Sequence, residues 1–200
     1  MKKTGLILIL LFVSVSMMFA RGGYKVGDKA ADFNLKNVNN KMVSMSDYPN
    51  AKGFVVIFTC NHCPFAKAYQ DRIIAIDKTY RPKGYPVIAI NPNDPTLVPE
   101  DSFAEMQKRA KEKNYPFPYL IDAKQEVYKE YGATNTPHAF LLKREGKDLV
   151  VKYIGTIDNN YQDASKVTKH YLTDAIDALL AGKDPNPDYT KAIGCSIKSK

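Results

Sequence analysis

Two runs of the chain are apolar almost without interruption, Gly53-Phe54-Val55-Val56-Ile57-Phe58-Thr59 and Pro86-Val87-Ile88-Ala89-Ile90-Asn91. Short, β-branched runs of this kind predict central strands buried on both faces. Alternation of apolar and polar positions over residues 29–35 and again over 42–45, with Asn39-Asn40 between, predicts two earlier half-buried strands. Pro118-Tyr119-Leu120-Ile121 predicts a short strand. Residues 139–142 and 149–154 flank Glu145-Gly146-Lys147 and predict a β-hairpin.

Between the strands the period changes to that of a helix. Phe65, Tyr69, Ile73 and Ile76 predict a helix from Pro64 to about Tyr80, with Pro64 in the first turn, where a missing N–H leaves no partner unpaired. Ser102 and Glu105 form a predicted capping box for a second helix, with Phe103, Met106 and Ala110 on one side. Asp122 and Gln125 are expected to cap a brief helix through Val127, Tyr128 and Tyr131 that Gly132 stops. A last helix is expected from near Asp163, with Ala164, Val167, Tyr171, Ala175 and Leu179 on one face, ending at Gly182. Strands alternating with helices predict an α/β fold with a central mixed β-sheet and helices on both faces.

Residues 1–20 fall outside that fold. Lys2 and Lys3, the apolar stretch from Leu6 to Phe19, and Ala20 read as a secretory signal peptide, so the chain is expected to cross the inner membrane and work in the periplasm, touching the membrane only through this segment. Residues 21–184 then form one domain, and Pro185-Asn186-Pro187 begins an irregular tail over 185–200. The net charge is +8, or +6 without Lys2 and Lys3. The basic residues are dispersed, with no cluster interleaved with aromatics, so no nucleic-acid partner is expected. Three cysteines are too few for a disulfide scaffold.

The chemistry concentrates where the first apolar run ends, at Cys60-Asn61-His62-Cys63-Pro64. Two cysteines spaced C-x-x-C at a strand-to-helix junction meet unpaired N–H groups and the positive end of the helix dipole, which stabilise a thiolate. Structural disulfide or zinc ligation would use the same spacing, but zinc sites usually add a second Cys or His pair. Here only Cys195, His138 and His170 remain, each isolated.

In their order and placement, Ala31-Asp32-Phe33 with Leu35, the strand into Cys60-Asn61-His62-Cys63-Pro64, and Thr134-Asn135-Thr136-Pro137 before a strand resemble the thioredoxin superfamily. The likeness is to its redoxin branch of alkyl hydroperoxide reductase/thiol-specific antioxidant proteins and secreted thioredoxin-like oxidoreductases. It covers residues 26–182 and implies a thioredoxin-like fold. It further implies that Pro137 is a cis-proline against the dithiol and that the Thr136 backbone pairs with a substrate peptide. Cys60 would be the exposed attacking thiol and Cys63 the resolving one. Asn61, His62 and Pro64 would tune the couple, with His62 stabilising a Cys60 thiolate.

The departures from the family are specific. Peroxiredoxins carry a threonine three residues before the reactive cysteine and a proline seven before it, where this chain has Ile57 and Gly53. The buried acid of thioredoxin is replaced by Phe54, and the carboxylate that related reductases place three after the second cysteine is Ala66.

The resulting expectation is a thiol–disulfide oxidoreductase acting on protein thiols and disulfides, reset by a protein redox partner, with no cofactor and no resident metal. The alternatives are a thiol peroxidase using the same cysteines and a copper- or zinc-binding chaperone of the Sco kind, for which Cys60, Cys63 and His138 would be the ligands. His138, next to Pro137, is expected either to border the groove or to be an ordinary strand histidine. Cys195 is an unpaired tail thiol, an intermolecular disulfide partner, or a third redox cysteine that folds back.

Overall fold

The computed structural model describes residues 22–200, and the expected signal segment lies outside them. One sheet of eight strands carries the fold, in the spatial order β1-β9-β8-β4-β5-β6-β2-β3. These are β1 Lys29–Ala30, β2 Leu35–Asn37, β3 Met42–Val43, β4 Gly53–Phe58, β5 Val87–Asn91, β6 Tyr119–Ile121, β8 His138–Glu145 and β9 Asp148–Gly155. The centre, β4-β5-β6, is parallel, and all other neighbours are antiparallel, so the sheet is mixed as the sequence predicts.

Alternation along each central strand divides the core in two. Val55, Ile57, Val87, Ala89, Ala139 and Leu141 face α1 Pro64–Tyr80, α2 Phe103–Glu112 and α4 Tyr171–Leu180. Phe54, Val56, Phe58, Ile88, Ile90, Phe140 and Leu142 face the short α3 Val127–Tyr131 and the N-terminal segment. Each fully buried residue of this size contributes about 1.5–3 kcal/mol relative to exposure. Continuous burial of β4 and β5 is why their sequences show no polar alternation.

Several boundaries depart from the sequence reading. The last helix begins at Tyr171, not near Asp163. Asp163 instead caps a single 3₁₀ turn, Ala164–Lys166, and Asn159 Oδ1 accepts from the N–H groups of Thr168 and Lys169, which draws those residues out of a helix. The Ser102–Glu105 capping box does not form. The Ser102 N–H that Glu105 would accept closes the preceding 3₁₀ turn onto the Pro99 carbonyl. Asp122 does accept from the Glu126 and Tyr128 N–H groups, but Gln125 turns away to the carbonyls of Pro92 and Lys198.

The tail is irregular over most of residues 185–200 but is fastened to the domain: Ile154 bridges to Tyr189, and Cys195–Ser196 forms a strand, β10, antiparallel to β7 Asn135–Thr136. Long-range hydrogen bonds hold it, among them Thr190 N–H to the Ile154 carbonyl at 2.9 Å and Lys198 N–H to Asn93 Oδ1 at 2.8 Å.

Candidate active site

The carboxyl end of β4 delivers Cys60 at the edge of the sheet, and the chain turns through Asn61 and His62 so that Cys63 becomes the N-cap of α1. Pro64 occupies the first helical position as predicted. Opposite, the Thr136-Pro137 peptide is cis. The Thr136 hydroxyl lies 3.1 Å from the Cys60 sulfur, and the Thr136 carbonyl oxygen lies 3.2 Å from the Cys63 sulfur. The expected juxtaposition of the dithiol with Thr136 and Pro137 is therefore present.

A carboxylate that the sequence reading missed organises the turn between the cysteines. Asp101 is fully buried, and its Oδ1 accepts from the backbone N–H of Asn61 at 2.6 Å and of His62 at 3.3 Å. Its Oδ2 is 2.6 Å from His62 Nδ1 and accepts from Asn93 Nδ2 at 2.7 Å. Asn61 is pinned from both ends, its Nδ2 donating to the Glu100 carbonyl and its Oδ1 accepting from the Tyr119 hydroxyl. A usable signal was the run of amide side chains Asn91, Asn93 at the carboxyl end of a central strand, where sites in α/β sheets gather. What no local pattern could indicate is that the 3₁₀ turn Pro99–Asp101 folds back over residue 61.

The expectation of an exposed Cys60 thiol is corrected. Cys60 is 2% exposed and Cys63 0%, with Phe65 and Cys195 packed against them. The two cysteine side chains lie against each other, both within reach of Thr136. That contact first, then burial and the Asp101 carboxylate, hold Cys60 far above the usual thiol range, with the Thr136 hydroxyl opposing. The same contact draws Cys63 down to about 4 against its burial, helped by Cys195 and the Ala66 N–H. The Thr136 carbonyl is the one neighbour that favours a protonated Cys63.

His138 is not on the groove. Its ring packs on Phe140 at 4.7 Å, on the α3 face of the sheet, and its Nδ1 accepts the Thr134 N–H at 3.3 Å. Burial lowers its pKa to about 4. The set Cys60, Cys63 and His138 is therefore not a metal cluster. Among the described residues, Cys60, His62 and Asp101 do bring three ligand atoms within 4.8 Å of one another, but both Asp101 oxygens are already engaged by the N–H groups and side chains above. Cys195, by contrast, folds back and packs against Cys60, Cys63 and Ala66. Burial, then its contacts with Cys63, raise its thiol to about 11. No helix among the described residues is long and apolar enough to cross a membrane.

A sheet of this topology with two cysteines at the strand-to-helix junction and a prolyl edge against them defines a redox enzyme of the thioredoxin-like class. The chain belongs to the AhpC/TSA family, which its residues 26–153 match. An uncharacterized conserved protein from Geobacillus kaustophilus is 41% identical with a TM-score of 0.80, over 92% of this chain and 94% of that one. The thiol-disulfide oxidoreductase ResA of Geobacillus thermodenitrificans is 28% identical over 125 residues, which span 61% of this chain and 66% of that protein. The exposed lipoprotein thioredoxin of Streptococcus pneumoniae is 26% identical with a TM-score of 0.50, over 60% of this chain and 87% of that one.

Proposed function

We propose that the protein is a thiol–disulfide oxidoreductase of protein substrates, with Cys60 as attacking thiol and Cys63 as resolving thiol. The observation that carries this is the convergence of both sulfurs on Thr136, at 3.1 and 3.2 Å, beside the cis Thr136-Pro137 peptide. Cys60 gives its proton to water, and the Cys60 thiolate so formed attacks one sulfur of the substrate disulfide. The first substrate thiolate leaves and takes the proton from Cys63. Cys63 then attacks Cys60, the second substrate thiolate departs and is protonated by water, and the enzyme holds a Cys60–Cys63 disulfide. Two electrons have moved from the dithiol to the substrate, and the reverse sequence oxidises a dithiol. With this route Cys63 needs no separate carboxylate base, which accounts for the absence of one at Ala66.

The substrate backbone would pair with Thr136 as an added strand, and His62, Asn61 and Pro64 set the reactivity of the couple through Asp101 and the helix terminus. A protein redox partner resets the couple. The extracytoplasmic setting is supported by the pattern of residues 1–20, charged and then apolar.

Incubation of the Cys63→Ser protein with a disulfide-containing protein substrate tests the assignment. A mixed disulfide at Cys60 should accumulate, and Cys60→Ser should abolish turnover. If hydrogen peroxide instead oxidises Cys60 far faster than any disulfide does, the peroxidase reading replaces this one.

A further inference from the structure

The edge of Thr136 that a substrate strand would use is already taken by the protein's own tail. Cys195 is directly opposite Thr136 and Ser196 opposite Asn135 in the antiparallel β10–β7 pair. Ile197 N–H donates to the Thr134 carbonyl at 3.1 Å, and Asn135 Nδ2 donates to the Gly194 carbonyl at 2.9 Å. Gly194 is required by the close approach, since a Cβ there would stand 2.2 Å from the Thr136 carbonyl oxygen. Beyond the strand, Lys198 is tied at both backbone atoms, its N–H to Asn93 and its carbonyl to the Asp94 N–H. This anchoring delivers one thiol to the dithiol in the pose of a bound peptide.

We propose that Cys195 is a third redox-active residue, and that the β10 strand is a built-in substrate that exchanges with the Cys60–Cys63 disulfide to give Cys63–Cys195 and a free Cys60. The inference rests on the oxidoreductase reading above. In the exchange the Cys195 thiolate attacks the Cys63 sulfur, the Cys63–Cys195 bond forms, and the Cys60–Cys63 bond breaks. The Cys60 thiolate leaves and takes up the proton that Cys195 lost. The count of thiols and disulfides is unchanged, so no outside oxidant is needed for this step. Its consequence is an oxidised protein whose Cys60 is still a thiol, with the oxidising equivalent held under the tail. A peptide substrate must lift β10 from Thr136 to reach the couple.

The test is disulfide mapping by mass spectrometry after acid quench and alkylation, on the protein equilibrated with oxidised and reduced glutathione. Wild type should show both Cys60–Cys63 and Cys63–Cys195 cross-links, and Cys60→Ser should show Cys63–Cys195 within a monomer. Gly194→Ala, which displaces the strand while keeping all three cysteines, should diminish the Cys63–Cys195 cross-link and speed Cys195 alkylation by about tenfold or more. If Cys60–Cys63 forms but Cys63–Cys195 is absent from both wild type and Cys60→Ser, the third-cysteine assignment is overturned and the oxidoreductase reading stands. If Cys60–Cys63 itself never forms, both fall.

Discussion

His62 Nδ1 lies 2.6 Å from Asp101 Oδ2 and 3.6 Å from the Cys60 sulfur. One ring nitrogen therefore faces a carboxylate and a thiol together, and the carboxylate is the nearer. The expectation that His62 alone would favour a Cys60 thiolate left out this buried negative charge, which acts on Cys60 in the opposite direction. Asp101→Asn keeps the side-chain shape and removes the charge. The Cys60 thiol should then titrate at lower pH, and stability should drop by about 2–3 kcal/mol as the Asn61 and His62 amides lose a charged acceptor. The pH dependence of Cys60 alkylation and urea denaturation measure the two effects. An unchanged Cys60 titration would show that the carboxylate does not set its reactivity.

A second buried carboxylate holds the wall beside the site. Asp158 accepts from Arg72 Nη1 at 2.6 Å and from the Tyr69 hydroxyl at 2.9 Å, while Arg72 also donates to the Asn160 and Tyr161 carbonyls at 2.7 Å. The Tyr161 ring lies 4.2 Å from that of Phe65, next to the cysteines. Arg72→Ala leaves Asp158 buried with its cation removed, so a loss of about 3–5 kcal/mol is expected in chemical denaturation. A loss under 1 kcal/mol would mean that water replaces the guanidinium.

His138 should make stability depend on pH. Its folded pKa, about 4, lies below the ordinary histidine value of 6.5, so between these values the unfolded chain binds a proton that the folded chain does not. Stability is fully present above the unfolded pKa and is lost as pH falls toward the folded one. The expected loss from pH 7 to pH 5 is about 2 kcal/mol. Denaturation curves of wild type and His138→Gln at both pH values check it: this component should vanish in the variant, and an equal pH response in both proteins would refute it.

Gly155 should not tolerate a side chain. It has φ +154°, and a Cβ there would stand 2.1 Å from Thr190 Oγ1. That hydroxyl accepts from the Thr156 N–H at 3.0 Å and lies 2.6 Å from the Tyr153 hydroxyl, fastening the tail to the end of β9. Gly155→Ala is expected to cost about 1–3 kcal/mol through overpacking and to raise hydrogen exchange at the Thr190 and Thr156 amides. Wild-type protection at both amides in the variant would contradict this.

The sequence alone determined the elements whose signal is local and repeated. Unbroken apolar runs mark β4 and β5 because a strand covered on both faces has no polar side to show. The spacing of Tyr69, Ile73 and Ile76 marks α1 because one helical face must meet the sheet. The dithiol and its prolyl edge were legible too, since residue type and order carry them. Tertiary structure decided what depends on contacts between distant positions. Asp101 reaches the 60–63 turn only through the fold of the Pro99–Asp101 turn, and a lone aspartate has no pattern to betray that. His138 was assigned to one of two faces by the register of β8 against β4, which a neighbouring proline cannot reveal. Cys195 stands over the dithiol because backbone groups of residues 188–198 pair with strands and loops far away in the chain, and backbone pairing leaves almost no trace in side-chain composition.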